Sequence, residues 1–123
     1  AGADLTGAQL AGMDLAGVDF SQAALEMAWA PGTDLTQADL TGARLTGANL
    51  RGADLSGALL SGAQLWNTDL RDADLRGADL RSTPELHNAW LGGADATGAT
   101  RCESARDRPP PGLLGEPVFD PGC

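Results

Sequence analysis

The chain has 123 residues and a net charge of −9; it contains no Lys, Ile or Tyr, and all eight cationic residues are Arg. That length fits one domain, and the acidity excludes a nucleic-acid binder, which needs a basic surface to neutralise phosphates. No run approaches the roughly 18 apolar residues of a membrane span and no signal peptide is visible, while the Ala, Gly, Leu, Asp and Arg bias suggests GC-rich codons and a cytoplasmic bacterial protein.

Residues 1–80 fall into sixteen blocks of five with no gap. The third column is Ala except at Met13, Val18, Thr33 and Thr68, and the fifth is Leu except at Phe20 and Ala30. The fourth is Asp or Asn in ten blocks, among them Asp4, Asp14, Asp34, Asn49 and Asp54. A small or polar residue and then, usually, Gly complete the unit, A-D-L-x-G. The chain opens at Ala1 already inside this pattern, which suggests a processed product or part of a longer protein.

A helix is excluded because each interior Gly costs about 1 kcal/mol relative to Ala. A plain strand is excluded because Gly and Asp are strand-poor and recur too often. A chain that turns every five residues fits. Ala and Leu, two apart, point the same way, and Gly with its polar neighbour makes the corner.

These blocks resemble the pentapeptide-repeat family, whose motif is A-(D/N)-L-x-x. The resemblance implies an all-β fold, a right-handed quadrilateral β-helix in which four corners close a 20-residue coil. Coils then stack about 4.8 Å apart through inter-coil backbone bonds. The pattern slips by one residue near Ser82–Thr83 and continues in degenerate form, with Pro84/Leu86, Ala89/Leu91, Ala94/Ala96 and Ala99/Arg101 as inward pairs. The expected repeat domain is therefore 1–101, about five coils.

Two departures interrupt the regular part. Ala30 stacks between Leu10 and Leu50 and should leave a gap, filled by Met27 or Phe20 at a corner bulge. Pro31 removes an N–H that an inter-coil bond would use. Trp29 takes the outward Asp position, where it is either incidental to that bulge or a contact point, Trp being common at interface hot spots. Trp66 and Trp90, in or near corners, carry the same two readings.

Residues 102–123 hold no repeat. A β-helix end exposes core and edge backbone, so this Pro-rich stretch is expected to fold over the last coil, using Leu113, Leu114, Val118 and Phe119, or else to be a tail. It offers no helix of the kind through which family members dimerise. Cys102 and Cys123 bracket it as a candidate disulfide, worth about 3 kcal/mol in the chain-entropy model.

Those two cysteines and the distant His87 make a poor zinc site, and no cofactor is expected. With one His and no Lys or Tyr, catalysis has no base or nucleophile to stand on, so the chain is not expected to be an enzyme. Stacking in twenties puts Asp14, Asp34, Asp54 and Asp74 on one face and Asp19, Asp39, Leu59 and Asp79 on the next. These acidic faces, with Trp29, are the candidate partner-binding surface of a protein-interaction module. The Asp residues also have a purely local reading, as turn-bonding residues. The resemblance extends to quinolone-resistance members, which implies a DNA-mimic that binds DNA gyrase. A structural spacer within a longer chain is the third reading.

Overall fold

A computed structural model describes residues 1–83, 86, 88–102, 112–115 and 118–120. The backbone pairs with itself in parallel at a fixed offset. Asp14 bridges Asp34, Asp34 bridges Asp54 and Asp54 bridges Asp74, and the other three outward columns repeat the same twenty-residue step. Only two named strands occur among the described residues, β1 (Thr100–Cys102) and β2 (Val118–Asp120). Elsewhere each side of the coil is too short to be more than a bridge between two turns.

One repeat accounts for its hydrogen bonds completely, as buried and half-buried backbone must. Gly52 N–H donates to Arg71 O in the next coil (2.9 Å) and Leu55 N–H to Asp74 O (2.7 Å). Asp54 N–H donates to Thr33 O in the preceding coil (3.0 Å), and Ala53 N–H closes the turn onto Leu50 O (3.0 Å). One donor per repeat is left over, the N–H of the first corner residue. In the next corner it is Ser56 N–H, which donates to Asp54 Oδ1 at 3.0 Å.

The core is a stack of inward columns. Leu40, Leu45, Leu50, Leu55, Leu60, Leu65, Leu70, Leu75 and Leu80 are buried, with Ala between them leaving room. Each such Leu contributes about 1.5–3 kcal/mol. Thr33 and Thr68 occupy the Ala column fully buried, and their hydroxyls donate to Leu10 O and Leu45 O, both at 2.8 Å.

The Ala30 region keeps the ladder in register. Trp29 N–H donates to Ala8 O and Ala30 N–H to Asn49 O, so no bulge forms. A residual cavity of about 10 Å³ lies there, lined among others by Leu10, Phe20, Ala30 and Leu50. Phe20 is buried against it, whereas Met27 is 67% exposed and does not fill it. The extra reach of the Phe ring offsets the short Ala side chain. Pro31 removes no inter-coil bond either, because its place in the repeat is the corner position whose N–H the ladder leaves over.

Beyond Asp79 the offset becomes 21, with Asp69 bridging Trp90, Asp74 bridging Asp95 and Asp79 bridging Thr100. The additional residue falls between Arg81 and Asn88, since Gly62 N–H still meets Arg81 O whereas Asn67 N–H meets Asn88 O. Leu86, Leu91, Ala94, Ala96, Ala99 and Arg101 are buried. The C-terminal segment then extends the ladder. Asp95 bridges Leu114, and β2 pairs parallel to β1 with Thr100 opposite Val118. Leu113 packs against the core, but Leu114 is exposed and acts through its backbone instead. Pro84, His87 and the Cys102–Cys123 bridge lie outside the described residues.

Candidate interaction surfaces

The corner chemistry explains the fourth column. In every repeat of residues 1–80 that carries Asp or Asn there, Oδ1 accepts the N–H two residues on. Asp14 serves Ala16 (3.2 Å), Asp19 serves Ser21 (2.9 Å), Asp34 serves Thr36 (3.0 Å), Asp39 serves Thr41 (3.0 Å) and Asn49 serves Arg51 (3.0 Å). Where the corner begins with Ser or Thr, its hydroxyl often adds a second bond to the same oxygen, as from Thr36 to Asp34 at 2.7 Å. Where it begins with Arg, the guanidinium folds back onto the carboxylate. Arg71 grips Asp69, Arg76 grips Asp74 and Arg81 grips Asp79.

These bonds set the acidities. The backbone and hydroxyl donors of Thr36 hold the Asp34 carboxyl below its ordinary value. Ser21 does the same for Asp19 through its hydroxyl first and its N–H second. The Arg71, Arg76 and Arg81 side chains lower Asp69, Asp74 and Asp79. Hydrogen bonding to the ionised form therefore outweighs repulsion up the column. At Asp95 the charge of Asp74 is the smallest of the influences.

The stacked order Asp14–Asp34–Asp54–Asp74 is present, and so is Asp19–Asp39–Leu59–Asp79. Their charge is unevenly spread. Asp74 and Asp79 are paired with Arg at the C-terminal end. Among the described residues Asp14, Asp34, Asp39 and Asp54 have no ion-pair partner, and Asp19 has only the Ala1 amino group at 3.9 Å.

A different wall gathers the aromatics. Gln9, Trp29, Asn49, Asp69 and Trp90 form one continuous outward ladder. Trp66 stands at the corner beside it, its carbonyl accepting Gly47 N–H at 3.0 Å. All three tryptophans of the chain thus lie on or bordering one wall. They are 47%, 55% and 55% exposed at Trp29, Trp66 and Trp90. Trp90 is held firmly: its indole N–H donates to Asn67 Oδ1 at 2.9 Å and the Arg71 guanidinium lies 5.5 Å from its ring centre. Ionic groups on and beside this wall pair locally: Arg71 with Asp69, the corner residues Arg51 and Asp72 with each other at 3.7 Å, and the corner residue Glu26 with Arg44 of the neighbouring ladder at 2.6 Å.

Sequence reasoning placed Trp29 on its ladder but left Trp90 near a corner. The one-residue slip and the Ala89/Leu91 inward pair already imply an outward Trp90; stacking in twenties stopped at residue 80, beyond which an offset of 21 sets Trp90 in the same ladder as Trp29. Among the described residues no group of three or more His, Cys, Asp and Glu is arranged to hold a metal. No helix among them is long and apolar enough to cross a membrane.

A family model described as pentapeptide repeats matches residues 1–28, 19–57 and 58–98. Among solved structures, the chain is similar to a pentapeptide repeat protein of the Arabidopsis thaliana thylakoid lumen. The two are 35% identical over 87% of this chain and 71% of that one, with a TM-score of 0.65. A pentapeptide repeat protein of the cyanobacterium Cyanothece 51142 is 33% identical over 95% of this chain and 64% of that one, with a TM-score of 0.49. QnrB1, a plasmid-mediated fluoroquinolone resistance protein, is 22% identical over 98% of this chain and 79% of that one, with a TM-score of 0.39. No curated protein matches the chain.

Proposed function

The chain belongs to the pentapeptide-repeat family, and from that premise we propose that it is a non-catalytic protein-interaction module whose flat walls present side chains to a protein partner. One observation carries the reading. The wall backbone spends its N–H groups on neighbouring coils and on its own turns, yet half-exposed Trp29, Trp66 and Trp90 collect on one side. Trp at that exposure is a common anchor of protein interfaces. We read the rod as a right-handed quadrilateral of about five coils over 1–101, with 102–123 as its cap. Composition adds a cytoplasmic, bacterial setting.

The test is affinity capture from the source organism with three baits: wild type, Trp29→Ala/Trp66→Ala and Asp34→Arg/Asp54→Arg. Loss of one partner from one variant bait locates the binding wall. No partner retained reproducibly by the wild type would sink the interaction reading.

A second reading has its own support in the carboxylates of Asp14, Asp34, Asp39 and Asp54, which lack ion-pair partners among the described residues. Two neighbouring acidic walls of a narrow rod suit a basic protein groove, and DNA gyrase is the candidate partner of that kind. A supercoiling assay with and without a quinolone decides it. No effect at micromolar protein removes the gyrase reading.

A further inference from the structure

We propose that the tryptophan wall docks an uncharged, proline-rich peptide in the extended polyproline conformation. This deepens the protein-interaction reading and rests on it, naming the wall and the chemistry of the partner.

Three observations narrow the occupant. The first is charge. The one charged residue in the ladder between the rings, Asp69, pairs with Arg71, and the charges bordering the wall are paired too, Asp72 with Arg51 and Glu26 with Arg44 of the neighbouring ladder. A charged partner gains little here, whereas the acidic walls around the corner repel acidic ones. An electrically neutral partner complements an internally neutralised wall.

The second is backbone availability. Trp29 N–H and Asn49 N–H donate to the preceding coil, and Ala30 N–H and Leu50 N–H to the next one. From Trp29 to Asp69 every ladder N–H is already bonded to a neighbouring coil, so none is left to donate to an added strand along that stretch. Recognition must come from side chains. The polyproline helix has no internal hydrogen bonds, is pre-ordered, and is gripped by aromatic side chains.

The third is length. Trp29 and Trp90 stand in one ladder, three coil steps apart, which is about 14 Å. At about 3.1 Å per residue, that span holds four to five residues, the size of a P-x-x-P core. Asn49 and Asp69 are the ladder residues between the two rings, and Trp66 borders them at the corner. The hold of Asn67 and Arg71 on Trp90 fixes that ring before any ligand arrives, which lowers the entropy lost on binding.

The probe is a blocked synthetic peptide of repeated PPL units, titrated into the full chain while tryptophan emission is followed. The expected result is a saturable blue shift that persists in about 0.5 M salt, where exposed charges are screened. Trp29→Ala/Trp66→Ala should weaken binding at least about tenfold. Asn49→Arg should do the same by setting a long, charged side chain on the ladder between the rings while all three rings stay in place; Arg44 already occupies an equivalent outward position in the next ladder, so this variant should fold. Asp34→Arg/Asp54→Arg should bind as wild type.

Several outcomes overturn the proposal: no saturable shift up to about 1 mM peptide, binding lost in the Asp variant, or a shift with a soluble glucan oligosaccharide and none with the peptide. If affinity capture nevertheless retains a partner that ignores the tryptophan variants, the interaction reading stands and this assignment alone fails.

Discussion

Pro31 lies two residues after Trp29, at the one place in the repeat where a backbone N–H has no partner in the coil ladder. Elsewhere an Asp or Asn two residues back often accepts that N–H, as Asp54 does for Ser56 at 3.0 Å. Trp29 has no acceptor to offer, and Pro31 has no donor to satisfy. The two departures from the motif match each other, which neither shows alone.

A double-mutant cycle tests this match. Trp29→Asp alone installs an acceptor with nothing to accept, and Pro31→Thr alone exposes a donor with only water to meet. Together they rebuild the ordinary corner. The pair should be more stable than the sum of the single changes by about 0.5–1.5 kcal/mol, read from urea midpoints. Additive effects would show that the corner bond is not what links the two positions.

Phe20 and Ala30 form a second matched pair, large beside small. The cavity they line is about 10 Å³, room for about one water but not for three extra carbons. Ala30→Leu should therefore overpack and cost about 1–3 kcal/mol. Phe20→Leu should enlarge the gap and cost about 1 kcal/mol. The double variant restores Leu in both columns and should recover most of the loss, as measured by chemical denaturation.

Corner glycines differ in how much depends on them. Gly42 and Gly52 both have φ near +66°, so Ala at either should cost about 1–2 kcal/mol for backbone strain. Gln22 lies directly over Gly42, its amide nitrogen in the space a Cβ would take, while nothing crowds Gly52. Gly42→Ala should be the more damaging change in thermal melts. In a Gln22→Gly background the two costs should become equal.

Acid should loosen the corners. Asp19, Asp34, Asp69, Asp74, Asp79 and Asp95 titrate below their ordinary value because donors favour the ionised form. A depressed folded value stabilises above the unfolded value of about 3.9, and that stability disappears as pH falls through the lower folded value. Tm should be level from about pH 7 to 5 and fall below about pH 4. Asp19→Asn/Asp34→Asn keeps the turn acceptors, as Asn49 does for Arg51 N–H, and should give a shallower acid limb.

The repeat, its inward columns and its acidic ladders were legible in the sequence because every coil restates them. The role of the Asp residues was legible only in outline. Their turn bonding is local, but that it takes up the single donor left by the ladder appears once every N–H is traced. The bulge expected at Ala30 does not form, because Phe20 compensates from the preceding coil, where linear spacing does not look. The C-terminal segment gave no pattern, since the pairing of Leu114 with Asp95 and of β2 with β1 is made by backbone and leaves no periodic side chains. The tryptophan wall was missed because the outward stack was followed only to residue 80, although the inserted residue and the Ala89/Leu91 pair were already legible and set Trp90 in the outward column.

Because the inter-coil bonds are made by backbone and not by side chains, the ladder tolerates many different outward residues. One backbone geometry already carries Asp, Ala, Trp, Arg, Leu, Gln and Asn in the fourth column. A lineage can therefore rewrite much of the surface while the ladder stays in register, provided the corner N–H keeps an acceptor or gives way to Pro, as at Pro31. The same property makes the rod a ruler, with chemical groups mounted at steps of about 4.8 Å in whatever order a partner selects.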